Sequence, residues 1–146
     1  MRNYFVTIED VKNAGVAREW AVCRHYGICR TKHDSSAYDV DSDVNFGEKH
    51  ISVKAEKFTL MSGKLCNGEE TFDGIWALYE SKVHSNTFAY VTKDGCVYEM
   101  NIHEFKEFVY EFCRLERESS KNGGYMKIRC RCESKYMIEW LQEKVA

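Results

Sequence analysis

Asp43, Asn45, His50, Ser52 and Lys54 recur at alternate positions on either side of Gly47-Glu48, in the stretch DVNFGEKHISVKAEKFTL that runs from Asp43 to Leu60. Apolar and polar residues alternate on both sides of that pair, which predicts two strands joined by a two-residue turn. Such a turn sets Phe46 opposite Lys49, Asn45 opposite His50, Val44 opposite Ile51 and Asp43 opposite Ser52. Side chains in strands alternate between faces, so the five polar residues share one side. Val44, Phe46, Ile51 and Val53 take the other. One face is expected to be core, and its reverse to carry an acid, a hydroxyl, an imidazole and an amine close together.

Were the substrate a phosphodiester, its hydrolysis would need a divalent cation to polarise the phosphate and activate a water. Mg²⁺ keeps several waters and takes one or two carboxylates. Asp43 would supply one carboxylate. Lys54 would position the water or stabilise charge on the pentavalent phosphate, while Ser52 offers only a hydroxyl. His50 would bind phosphate or act as a base, or simply hydrogen-bond beside Asn45. A longer turn would promote Asp41 over Asp43, with Asp39 a further rival. The competing reading of the whole set is a solvated strand face.

These strands need elements around them. Residues 7 to 26 read as a first helix, with Thr7 and Asp10 as a capping-box pair and Ile8, Val11, Val16, Trp20 and Ala21 at helical spacing. A short strand is expected around Ala37 to Val40, before the hairpin. A Gly- and Asn-containing loop, Met61 to Glu70, leads to a helix over 71–83, capped by Thr71. Asn86 to Thr92 and Cys96 to Met100 read as strands joined at Asp94-Gly95. Asn101 and Glu104 open a third helix, with the stripe Ile102, Phe105, Phe108, Val109, Phe112, Leu115. Tyr125 to Cys132 reads as a strand and Ser134 to Val145 as a final helix. The expected order is α-β-β-β-α-β-β-α-β-α.

The hairpin and this order resemble the PD-(D/E)xK nuclease superfamily, whose members have the restriction-endonuclease-like fold. There an Asp on one strand and an acid-x-Lys triplet on the next hold Mg²⁺ and the attacking water. Asp43 matches the Asp, and Lys54 the Lys of Ser52-Val53-Lys54. Ser52 departs from the usual Glu or Asp. Some restriction enzymes of the superfamily also carry Ser there and bring the missing carboxylate from the following helix. The resemblance thus points to Glu70, with Glu69 beside it, and to Glu80 as catalytic and metal-binding acids. Glu56, on the strand face of Lys54, is a fourth candidate. An N-terminal helix often presents a Glu to the metal in that family, which nominates Glu19; the plainer reading is an exposed helix Glu beside Arg18. The resemblance implies an αβββαβ core with a C-terminal β-α-β-α extension, a Mg²⁺ or Mn²⁺ cofactor, a DNA substrate and a homodimer, its interface on the Phe-rich or the final helix.

The 146 residues fit one domain, 1–146, of the α/β (α+β) class with a mixed sheet flanked by helices. No apolar run approaches a membrane span, and Met1-Arg2-Asn3 begins no signal peptide, so a cytoplasmic protein is expected. No small-molecule cofactor motif appears. A net charge of −2 argues against bulk attraction to nucleic acid but leaves room for a basic patch. Lys127, Arg129 and Arg131 share a strand face at period two, and Lys121 sits in the loop SSKNGG before it. Such a stripe would contact a phosphate backbone without reading sequence, or would be a solvated face beside Glu116 and Glu118. The seven cysteines are expected to be reduced thiols. Cys130 and Cys132, two apart on a strand, would face one side, but a zinc site there lacks two further ligands.

The expectation is a Mg²⁺-dependent DNA endonuclease. Its rivals are a catalytically inactive fold relative that binds nucleic acid, and a protein-interaction module acting as inhibitor or accessory subunit.

Overall fold

The computed structural model describes residues 14–27, 44–55, 57–60, 71–118 and 125–145. Along the chain these form α1 (Ala14–His25), β1 (Val44–Phe46), β2 (Lys49–Lys54), β3 (Phe58–Leu60), α2 (Phe72–Lys82), β4 (Thr87–Val91), β5 (Val97–Asn101), α3 (Ile102–Phe112), β6 (Arg114–Glu118), β7 (Tyr125–Cys130) and α4 (Lys135–Lys144). The fold is mixed α+β. One sheet has the order β1-β2-β4-β5 and a second the order β3-β7-β6. The expected strand at 37–40 and the Thr7 capping box lie outside the described residues.

The hairpin has the register that its two-residue turn requires, with Val44 opposite Ile51, Asn45 opposite His50 and Phe46 opposite Lys49. Gly47 sits at φ +60°, the left-handed conformation that primed hairpin turns demand and that glycine adopts without a Cβ clash. β2 then runs parallel to β4, Lys54 beside Tyr90 and Ser52 beside Phe88. Parallel neighbours need a crossover, and α2 lies within it. Three helices start at side-chain caps, the first two of them expected from sequence. The Thr71 hydroxyl accepts from the Gly74 N–H at 3.1 Å. Asn101 and Glu104 close a reciprocal capping box at 2.8 and 2.9 Å, and Ser134 accepts from Met137 at 3.1 Å.

Both faces of the first sheet are covered. Val44, Ile51, Ala89, Val91 and Val97 pack on Ala21, Val22 and Cys23 of α1. Phe88, Tyr90, Tyr98 and Met100 face the other way, onto Phe105, Phe108 and Val109 of α3, Trp76 of α2 and Met137 and Leu141 of α4. Leu60, Ile128 and Cys130 of the second sheet join this larger core, so one apolar interior ties the two sheets together. All five β4 residues are buried, as a central strand covered on both faces requires.

Two boundaries differ from the sequence reading. β2 stops at Lys54, and Phe58–Leu60 pairs instead with β7, Phe58 opposite Cys130 and Leu60 opposite Ile128. α3 ends at Phe112, so Leu115 belongs to β6 and not to the helical stripe. Arg114–Glu118 matches β7 over five residue pairs, and that ladder outweighs the helix preference of Leu, Glu and Arg. The C-terminal part is therefore β-α-β-β-α.

Candidate functional site

Lys54, Tyr90 and Tyr98 are neighbours across three strands on one face of the first sheet. They lie toward the carboxyl ends of the parallel pair β2 and β4, where open sheets commonly present ligand sites. The Tyr90 hydroxyl donates to Glu133 Oε1 at 3.1 Å, and the Lys93 N–H approaches both Glu133 oxygens at 3.2 and 3.4 Å. Glu133 is a carboxylate that sequence reasoning did not single out. It precedes the Ser134 cap, and nothing in the pattern CRCES ties it to a strand forty residues earlier.

The polar face of the hairpin is not a solvated reverse side. Ser52 is only 9% exposed, because the aromatic residues of β4 and α3 extend the large core across it. Lys54 is half-buried, its Nζ lying 5.9 Å from the centre of the Phe58 ring, within cation–π range. Its charge is also felt at Cys113. The Cys113 thiol is held far above its ordinary value, first by hydrogen bonding with Cys130 and then by burial, with Lys54 pulling the other way. The Cys130 thiol is correspondingly lowered by the Cys113 hydrogen bond, against the effect of its own burial.

At the turn end of the hairpin, His50 Nδ1 lies 2.8 Å from Asn45 Oδ1. Asn86, also not foreseen, staples β2 to the start of β4. Its Oδ1 accepts from the His50 N–H at 2.9 Å and the Thr87 hydroxyl at 3.0 Å. Its Nδ2 donates to the Glu48 carbonyl at 2.8 Å, and its own N–H to the His50 carbonyl at 3.0 Å. On the α1 face, Lys49 donates to Glu99 at 2.5 Å, and the Tyr26 hydroxyl donates to the same carboxylate. Tyr26 also stacks on Phe46, ring centres 5.1 Å apart.

The expected acids are distributed as follows. Asp43, Glu70, Glu69, Glu56, Asp39 and Asp41 lie outside the described residues, as does Lys121. Glu80 stands on the exposed side of α2, close enough to Tyr110 of α3 to raise its hydroxyl, and not in the Lys54–Tyr90 row. Glu19 sits on α1, in the layer on the opposite face of the sheet from Ser52 and Lys54. Among the described residues, no three His, Cys, Asp or Glu side chains gather to hold a metal ion.

The basic stripe is also reshaped. Lys127 and Arg129 do share the β7 face opposite Ile128, but Lys127 is only 5% exposed. Arg131 lies beyond the strand end and makes a two-pronged pair with Glu116, both contacts at 2.6 Å. That pair, before the smaller pull of Arg129 and Lys127, holds the Glu116 carboxyl below its ordinary value. Cys130 is buried and Cys132 exposed, because β7 stops at Cys130 and the alternation ends there. Among the described residues no helix is long and apolar enough to cross a membrane. Comparison with protein-family models, with curated proteins and with solved structures gives no match to this chain.

Proposed function

We propose that this chain is a metal-dependent endonuclease that hydrolyses DNA phosphodiester bonds, a divergent member of the restriction-endonuclease-like group. The observation that carries the reading is the hairpin register joined to the parallel crossover through α2. That arrangement puts the Ser52-Val53-Lys54 triplet on a strand flanked by β1 on one side and β4 on the other. Lys54 would stabilise charge on the phosphate, and Ser52 would contribute a hydroxyl. Asp43 and Glu70 would hold Mg²⁺ or Mn²⁺, which polarises the phosphate and activates water. Glu133 accepts from Tyr90, the register partner of Lys54. Arg129 and Lys121 would meet the DNA backbone. A homodimer, with the exposed Tyr110 of α3 and Tyr136 of α4 at its interface, would cut both strands, and the cytoplasm is its proposed location.

A second reading has its own observation. Lys54 lies over the Phe58 ring beside buried thiols, a position that suits a packed side chain in a noncatalytic relative that binds nucleic acid or a protein partner. Mn²⁺ titration followed by electron paramagnetic resonance separates the two. Stoichiometric Mn²⁺ uptake by the wild type, lost in Asp43→Asn, supports the nuclease. Equal uptake by both proteins, or none, overturns the metal assignment and leaves the noncatalytic reading.

A further inference from the structure

A cavity of about 480 Å³ opens where β6 and β7 meet the end of α3 and the start of α4. Its size falls within the usual range of small-molecule sites. Arg114 and Arg129 line it, and they are directly opposite each other on the antiparallel pair. Two like charges in that position repel and destabilise the ladder unless something neutralises them. Neither guanidinium makes a direct ion pair with a carboxylate of the described residues, although the Arg129 charge acts on Glu116 from a distance. The two acids in the cavity wall are already engaged. Glu116 is held by both prongs of Arg131, and Glu111 accepts from the Tyr136 hydroxyl at 2.9 Å. Phe112 and Met137 supply apolar wall beside the two arginines.

We propose that this cavity binds a small phosphate monoester of mononucleotide size, its phosphate bridging Arg114 and Arg129 and its apolar part against Phe112 and Met137. A phosphate accepts from two guanidinium forks at once, in the planar geometry arginine favours. It would also remove the repulsion between the two register partners. The Arg131–Glu116 pair then acts as a fixed wall, keeping Glu116 from closing on Arg129. The site uses no residue of the Lys54 row and so stands whether or not the chain cuts DNA, but it shares Arg129 with the proposed backbone contact.

Isothermal titration with adenosine 5′-monophosphate, adenosine and inorganic phosphate tests this, on the wild type, Arg114→Gln and Arg129→Gln, each checked for an unchanged thermal transition. The monophosphate should bind the wild type, adenosine should not, and phosphate should compete. Each variant should weaken binding by about tenfold or more, the scale of one lost charge-assisted hydrogen bond. Equal binding of nucleoside and nucleotide, unchanged affinity in both variants, or no binding of the monophosphate overturns the proposal. Duplex DNA that binds through Arg129 where the monophosphate does not would also overturn it, and would assign these arginines to the backbone of a polymer.

Discussion

Lys54 and Tyr90 are register partners on the parallel strands β2 and β4, and Tyr90 hands the connection on to Glu133 at 3.1 Å. A residue from the hairpin is thereby linked, through one buried phenol, to the segment that starts α4. The proposed site at the carboxyl end of the sheet would have that segment beside it. Tyr90→Phe removes the donor and leaves a half-buried carboxylate with only the Lys93 N–H. Urea unfolding should show a loss of roughly 1–2 kcal/mol, the scale of a hydrogen bond to a charged acceptor. A variant as stable as the wild type would mean that water replaces the phenol at Glu133.

Glu99 makes stability depend on pH in the acid range. Burial alone would raise its carboxyl, but hydrogen bonds from Lys49 and Tyr26 and the charges of Lys49 and His25 together hold it below the ordinary value. A depressed carboxyl contributes stability that is present above its unfolded value, about 4.3, and is lost as pH falls through the folded one. The stability gap between wild type and Glu99→Gln should therefore be widest near neutral pH and close on acidification. Denaturant melts across that range check it, and a gap independent of pH contradicts it.

Tyr110 titrates at the other end of the scale. Its hydroxyl donates to Asp73, and that bond, ahead of burial and the Asp73 charge, pushes it up to about 12. Its contribution is fully present below the unfolded value near 10 and lost as pH rises through about 12. Ultraviolet titration of the phenols should show one fewer late-ionising tyrosine in Asp73→Asn than in the wild type. Tyr26, raised by burial and then by Glu99, should stay protonated in both. An unchanged profile in Asp73→Asn would remove the assigned cause.

The cysteines should separate by accessibility. Cys132 is exposed, whereas Cys113 and Cys130 are buried free thiols hydrogen-bonded to each other. Brief alkylation of the native protein should label Cys132 well ahead of that pair, which should react only on unfolding. Peptide mass spectrometry reads the order directly. Labelling of Cys113 at the rate of Cys132 would show that the α3–β6 junction opens in the native state.

The features visible in the sequence were those set locally. Gly47-Glu48 fixes a register because a two-residue turn allows only one, and Thr71, Asn101-Glu104 and Ser134 stop or start helices through bonds to residues three positions away. Features set by distant pairing were not visible. Nothing near Leu115 signals that Arg114–Glu118 will find β7, and the stripe before it continues smoothly. Phe58–Leu60 looks like more of β2 until β7 claims it. The burial of Ser52 comes from Phe88 and the helix above it, which a period-two pattern in the hairpin cannot report. Glu133 enters only because the fold brings Tyr90 to it.

Cleavage that depends on Lys54 is the sharpest consequence of the proposed activity. Supercoiled plasmid should be incubated with Mg²⁺ or Mn²⁺ and either wild type or Lys54→Ala, the variant first shown to be folded by circular dichroism. Nicked and linear DNA should form with the wild type, dependent on the metal, and the rate should fall by about a hundredfold or more in the variant, the scale of losing one transition-state electrostatic contact. An inert wild type with both metals, or a Lys54→Ala protein that cuts equally well, would contradict the proposed activity.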